Sequence, residues 1–142
     1  MTAAQVAALL VEDKVVTANL TWRPWGKRGA RLEATVLAKE SETRLKLFGY
    51  AGPTSQSFSL LYESIDIRRL CLGTNARHTN INKERFNGLH KHRYDDNVTQ
   101  SREAYLPDDI QEPLSIDAAF VAFLRECNIS LEGTYQPRFS LG

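Results

Sequence analysis

Three histidines are present in the 142 residues, at positions 78, 90 and 92, and two of them form the tripeptide His90-Lys91-His92. On a β-strand, residues i and i+2 share a face with Cβ atoms roughly 6.5 to 7 Å apart, so His90 and His92 are expected side by side. The preceding Asn87-Gly88 is the dipeptide favoured in two-residue type I′ turns, where both central residues take positive φ. A hairpin centred there sets Arg85 opposite His90, Glu84 opposite Lys91 and Lys83 opposite His92. Lys83, Arg85, His90 and His92 then line one face. Such a set suits metal-independent cleavage of an RNA phosphodiester. One imidazole accepts the 2′-hydroxyl proton, a protonated second imidazole donates to the leaving 5′-oxygen, and the cations stabilise the phosphorane. His78 lies off a regular hairpin face but can approach through its loop, with Asn80 as a nearby donor.

Two other readings compete. A His-x-His on an exposed strand is commonly ordinary surface. Alternatively, His90 and His92 could be two metal ligands with His78, Asp95 or Asp96 as a third, although the surrounding cations repel a divalent ion. The residues imply no cofactor.

Charge sharpens the RNA reading. Arg68, Arg69, Arg77, Lys83, Arg85, Lys91 and Arg93 face a single acid, Glu84, giving the stretch from 68 to 93 a charge of +6. The next stretch, Tyr94 to Asp117, has seven acids against Arg102 and a charge of −6, so the overall +1 conceals a dipolar arrangement. A basic patch attracts phosphates; the acidic block could shield it or form a solvated loop. Arg68, Arg69, Arg77, Lys91 and Arg93 are therefore nucleic-acid-binding candidates. A second aromatic and basic cluster lies at Trp22, Arg23, Trp25, Lys27 and Arg28. Trp22 continues an apolar strand face and is expected in the core, leaving Trp25 to stack on a base. Phosphate-binding Gly-x-x-x-x-Gly-Lys, Gly-x-Ser-x-Gly and dinucleotide signatures do not occur in the chain.

The elements that must position these residues are legible from periodicity. Thr2 and Gln5 have capping-box spacing, and Ala3, Val6, Ala7 and Leu10 follow at helical intervals, predicting a helix over 3–12. The period then changes to two. Val16, Ala18, Leu20 and Trp22 predict one half-buried strand, and Leu32, Ala34, Val36 and Ala38 a second, joined by a hairpin loop from Arg23 to Gly29. Leu45 and Leu47 predict a third, ended by Ala51-Gly52-Pro53. Phe58, Leu60 and Tyr62 predict a fourth, and Ile65 to Leu72 a fifth. In that fifth strand Ile65 and Ile67 are out of phase with Leu70 and Leu72, which requires a bulge. Connections this short enforce antiparallel pairing. Ser115 or the preceding Leu114 begins a final helix, with Asp117 complementing its dipole and the stripe Ile116, Ala119, Phe120, Phe123, Leu124 and Cys127, ended by a left-handed Asn128. The tail, Ile129 to Gly142, could add an edge strand.

The expected fold is α+β: an antiparallel meander of about five strands plus a small hairpin, with a short N-terminal helix and a C-terminal helix packed on the sheet. The length suits one domain, 1–142. No apolar run is long enough to span a membrane and no leader pattern opens the chain, so a cytoplasmic location is expected. Cys71 and Cys127, far apart in sequence, are expected as free core thiols.

From Ile67-Arg68-Arg69-Leu70 through His78-Thr79-Asn80 and Leu89-His90-Lys91-His92 to Leu124-Arg125-Glu126-Cys127, the order of features resembles the TumE-type toxins of bacterial toxin-antitoxin modules. It also resembles related uncharacterised families with a His-x-Asn followed by a His-x-His. Leu89 stands where those toxins tend to have a further histidine. The resemblance implies growth inhibition that could act through RNA, and a helix-turn-helix antitoxin as partner. The leading expectation is a toxin-like RNA-directed protein, a metal-independent ribonuclease in its sharpest form. The alternatives are a non-catalytic module that binds nucleic acid or an acidic protein through the basic patch, and a metal-dependent enzyme.

Overall fold

Thr2 begins the first helix, α1 (Ala3–Val11), because its hydroxyl accepts from the Gln5 amide at 3.1 Å while the Gln5 side chain accepts from the Thr2 amide at 2.7 Å. These reciprocal bonds satisfy amides that the helix cannot. In the computed structural model, residues 2–72 and 115–137 are described, together with the backbone of four short strands between them.

In chain order the strands are β1 (Lys14–Val16), β2 (Arg23–Trp25), β3 (Gly29–Ala38), β4 (Arg44–Ala51), β5 (Gln56–Tyr62), β6 (Ile65–Leu72), β7 (Arg77–Thr79), β8 (Arg85–Asn87), β9 (His90–Arg93) and β10 (Glu103–Tyr105). Helix α2 (Ile116–Glu126) and β11 (Ile129–Leu131) follow. The main sheet runs β10-β9-β6-β5-β4-β3-β1-β11, with β2 also paired to β3, while β7 and β8 form a separate ribbon. All pairings are antiparallel except β1 with β11. The arrangement is the expected α+β one, with a larger sheet than the meander alone.

One face of the sheet is apolar. Leu32, Gly49, Phe58 and Leu70 stand opposite one another across β3 to β6, as do Ala34, Leu47 and Leu60 in the adjacent row. Helix α2 covers this face with Ala119, Phe120, Phe123 and Leu124, all buried; Phe58 meets Phe120 and Phe123 at ring-centroid distances of 5.1 and 6.1 Å. Ser115 caps α2, and Asn128 leaves it at φ 55°. The phase change in β6 is a bulge: Leu60 pairs with Arg68 and Leu61 with Asp66, so buried Ile67 is the extra residue.

Lys14 is the one buried charged residue among those described. Its ammonium donates to the carbonyls of Leu10 at 3.0 Å, Glu12 at 2.7 Å and Cys127 at 2.6 Å, so a single cation closes the C-terminal ends of both helices. Burial lowers its pKa, and the nearby Cys127, Glu12 and Asp13 act in the other direction. Cys71 and Cys127 are buried and not joined in a disulfide, as expected.

Two expectations require correction. The long strand through Trp22 is absent: after Val16 the chain leaves β3 and runs beside the C-terminal segment, where Glu132 N donates to Val16 O, Leu20 N to Thr134 O and Gln136 N to Leu20 O. Val16 and Leu20 are buried along this irregular path, whereas Ala18 between them is exposed, so the alternation does not mark one strand face. Trp22 still reaches the core edge, packing edge-on to Phe58 at 6.0 Å above Gly49, where an added Cβ would lie 2.9 Å from the indole. The expected Asn87-Gly88 hairpin register is also replaced. Arg85 pairs with Thr79, and Asn87 pairs with Arg77 inside β8, whereas both edges of β9 are occupied by β6 and β10. Among the described residues, no helix is long and apolar enough to cross a membrane.

Candidate functional site

Strand alternation sends every second residue of the meander to the face opposite α2, and this face has a different chemistry. Cross-strand register gives two rows. Glu33, Phe48, Ser59 and Arg69 stand in line across β3 to β6, and the line continues into His92 of β9 and Ala104 of β10. Beside it run Arg23, Arg31, Tyr50, Ser57 and Cys71, continuing into His90. With ~4.8 Å between strands, Glu33 and His92 are ~19 Å apart across the sheet.

At the β2 end, the site is an aromatic and cationic shelf. Gly26 at φ 68° begins the tight Gly26-Lys27-Arg28 turn between β2 and β3, which holds Trp25 over the face with 54% of its surface exposed. The Arg31 guanidinium lies between two rings, 4.8 Å from the Trp25 centroid and 5.0 Å from that of Phe48. Arg31 also donates to Glu33 Oε2 at 2.9 Å, and Lys46 donates to Glu33 Oε1 at 2.8 Å. The Lys46 hydrogen bond, with Arg31 assisting, holds the Glu33 carboxyl below the usual carboxylate range. Tyr50 is exposed beside them.

A notch opens here because β1 and β2 both pair with β3 but leave its middle without a strand among the described residues. The resulting cavity, about 540 Å³, is lined by residues including Asn19, Thr21, Arg23, Trp25, Glu33 and Lys46. A smaller one of about 210 Å³, between Trp25, Phe48, Tyr50, Ser57 and Ser59, adjoins it along Trp25 and Arg31.

Toward β9 the face becomes more enclosed. Burial pushes the Cys71 thiol up, opposed by Arg69 beside it, and burial likewise raises the Asp66 carboxyl. A buried, neutral thiol is a poor nucleophile.

The candidate residues divide between places. Trp25 and Arg69 lie on the open face, and the backbone register sets His90 and His92 there too. Arg68 does not: it lies on the helix side, with Nη1 donating to Glu126 of α2 at 2.9 Å. Lys91 and Arg93 stand opposite Leu70 and Arg68, in the helix-side rows. Arg77 and His78 are in β7 and Arg85 in β8, away from β9 in pairing; Lys83 lies outside the described residues. The +6 stretch is thus distributed over both sides of the main sheet and a separate ribbon. Among the described residues, no three metal-binding side chains cluster; the side chains of His78, His90 and His92 fall outside them.

Sequence reasoning passed over Arg31, Glu33, Lys46, Phe48 and Tyr50. A signal was available: Phe48 and Tyr50 alternate out of phase with Leu45, Leu47 and Ala51, so the strand puts two aromatics on the polar side.

The chain belongs to a family of unknown function, DUF6978, whose model matches residues 1–129. No curated protein and no solved structure matches it.

Proposed function

We propose that this protein acts on single-stranded RNA in the cytoplasm and binds it across the open face of the sheet. The observation that carries this reading is the shelf of Trp25, Phe48 and Tyr50 interleaved with Arg23, Arg31 and Lys46 on the side of the sheet opposite α2, where Trp25 and Tyr50 are exposed among the described residues. Unstacked bases adhere to aromatic rings on sheet surfaces while cations hold the phosphates, and neither contact requires a deep pocket. The +1 total charge is no obstacle, since phosphate binding depends on where cations are concentrated. Binding of a labelled RNA oligomer should weaken steeply with salt and fall roughly tenfold or more in Trp25→Ala, the usual loss for one stacked base. Unchanged affinity in Trp25→Ala and in Arg31→Ala would sink the proposal.

A second reading adds cleavage. Its support is the β9 register, which aligns His90 and His92 with Cys71 and Arg69 on this same face. Bound RNA would cross the shelf and meet two imidazoles capable of general acid and base work, with Arg69 as the cation. Growth inhibition and a helix-turn-helix antitoxin, implied by the toxin resemblance, belong to this reading. Expression in bacteria of the wild type beside His90→Ala/His92→Ala tests it: arrested growth and cleaved RNA only with the wild type support it. RNA binding without cleavage by either protein would leave a binding module.

A further inference from the structure

The notch between β1, β2 and β3 contains a carboxylate that is only half used. Each Glu33 oxygen accepts one hydrogen bond, Oε2 from Arg31 and Oε1 from Lys46, yet a carboxylate oxygen has two lone-pair sites. One acceptor site per oxygen remains, and the two point from a group that lines the cavity of about 540 Å³. Trp25 lines the same cavity, and the Arg31 beneath its ring is the residue that grips Glu33. A ring for stacking and a bidentate acceptor therefore stand one residue apart.

Among the four RNA bases, guanine alone presents two adjacent donors, N1–H and the 2-amino group, on one edge. Adenine and cytosine each place an acceptor beside their amino group, and uracil has its single N–H between two carbonyls. We infer that the notch is a base-reading pocket for guanine, with Trp25 stacking the ring and both Glu33 oxygens accepting from its donor edge. This rests on the RNA-binding reading above and names the base it selects. The cavity lies within the size range of small-ligand sites. Arg23 lines it without an ion-pair partner among the described residues and is available to the phosphate of the same nucleotide. Lys46 and Arg31 keep Glu33 ionised and oriented, so it remains an acceptor at neutral pH.

Fluorescence anisotropy with labelled uridine oligomers carrying one central guanosine, adenosine or cytidine, beside the all-uridine oligomer, tests the assignment. The wild type should favour the guanosine oligomer roughly tenfold, as one good bidentate contact allows. Glu33→Gln, which replaces one acceptor by a donor, should abolish that preference, so that the guanosine oligomer binds no better than the all-uridine one. Lys46→Gln removes a shelf cation but retains the carboxylate and its Arg31 partner, and should weaken all four oligomers together while keeping the preference. Equal binding of all four oligomers by the wild type overturns the guanine pocket and leaves the RNA shelf standing. Binding of none overturns both. A guanosine preference that survives in Glu33→Gln removes Glu33 from the reading.

Discussion

The same four strands, β3 to β6, present two unlike faces, and one residue of register separates them. Phe58 and Phe48 stand on adjacent strands, yet Phe58 is fully buried under α2 while Phe48 stacks against an arginine at the surface. On the covered face a polar group needs a partner; on the open face polar groups and aromatics are available to something outside the chain. Residue type alone therefore does not identify function here. An aromatic out of phase with its strand's apolar residues is the informative one.

The largest expected effect tests whether this division is energetic as well as geometric. Phe58→Ala removes the ring that meets Trp22, Phe120 and Phe123, and should destabilise the fold by about 3–5 kcal/mol in urea denaturation. Phe48→Ala should cost less, about 1–2 kcal/mol, because its ring is half-buried beside Arg31 whereas Phe58 is fully enclosed. Equal losses would mean that the open face is covered in solution. Next is Lys14→Met. Three carbonyls at two helix ends lose their donor, offset in part by relief from burying an ammonium, so we expect a loss of about 2 kcal/mol. A neutral result would show that its desolvation offsets its three hydrogen bonds.

Tyr135 fastens the C-terminal segment to the covered side. Its hydroxyl donates to Asp117 at 2.6 Å and accepts from Trp22 Nε1 at 2.9 Å, and Tyr135→Phe should cost about 1–2 kcal/mol at neutral pH. Burial, with Asp117 second, raises the tyrosine pKa above its ordinary value near 10. The folded state therefore keeps a proton that the unfolded chain releases. This contribution is complete below about pH 10 and is lost as pH rises beyond it, so the gap between wild type and Tyr135→Phe should narrow there. Comparing the two proteins is necessary because Lys14, with a lowered pKa, changes stability in the opposite sense over the alkaline range in both. A gap independent of pH would show that the hydroxyl is not held as described.

What could be read from the sequence follows the same division. Wherever burial repeats with a regular period, the elements emerged: the Thr2 capping box, the β3 to β6 meander, the bulge at Ile67, and the α2 stripe ended by Asn128. Two long-range pairings overrode local signals. Residues 17 to 22 alternate like a strand, but Leu20 makes its backbone bonds to Thr134 and Gln136, over 110 positions away, which no local pattern records. Asn87-Gly88 has turn chemistry, but the strands on either side found other partners in β7 and β6. The candidate site was half visible. Trp25 stood out as an exposed aromatic among cations, whereas Arg31, Glu33 and Lys46 looked like ordinary outward residues until the register placed them together. Charge along the chain misled at Arg68, whose neighbour Arg69 points the other way.

The smallest effect compares one chemistry on both faces. Arg68–Glu126 and Lys46–Glu33 are ion pairs of nearly equal length, 2.9 and 2.8 Å, but the first has side-chain exposures of 19% and 18% and the second 48% and 39%. Screening by water should make the difference. A double-mutant cycle on Lys46 and Glu33 should return at most about 0.5 kcal/mol and fade in high salt, as exposed pairs do. The cycle on Arg68 and Glu126 should return about 1 kcal/mol or more and persist, because a hydrogen-bonded pair between sheet and helix is less accessible to counter-ions. Coupling of equal size would break the contrast between the faces. Coupling confined to the covered pair would mean that Lys46 and Glu33 contribute little to the fold, as expected of groups available to a ligand.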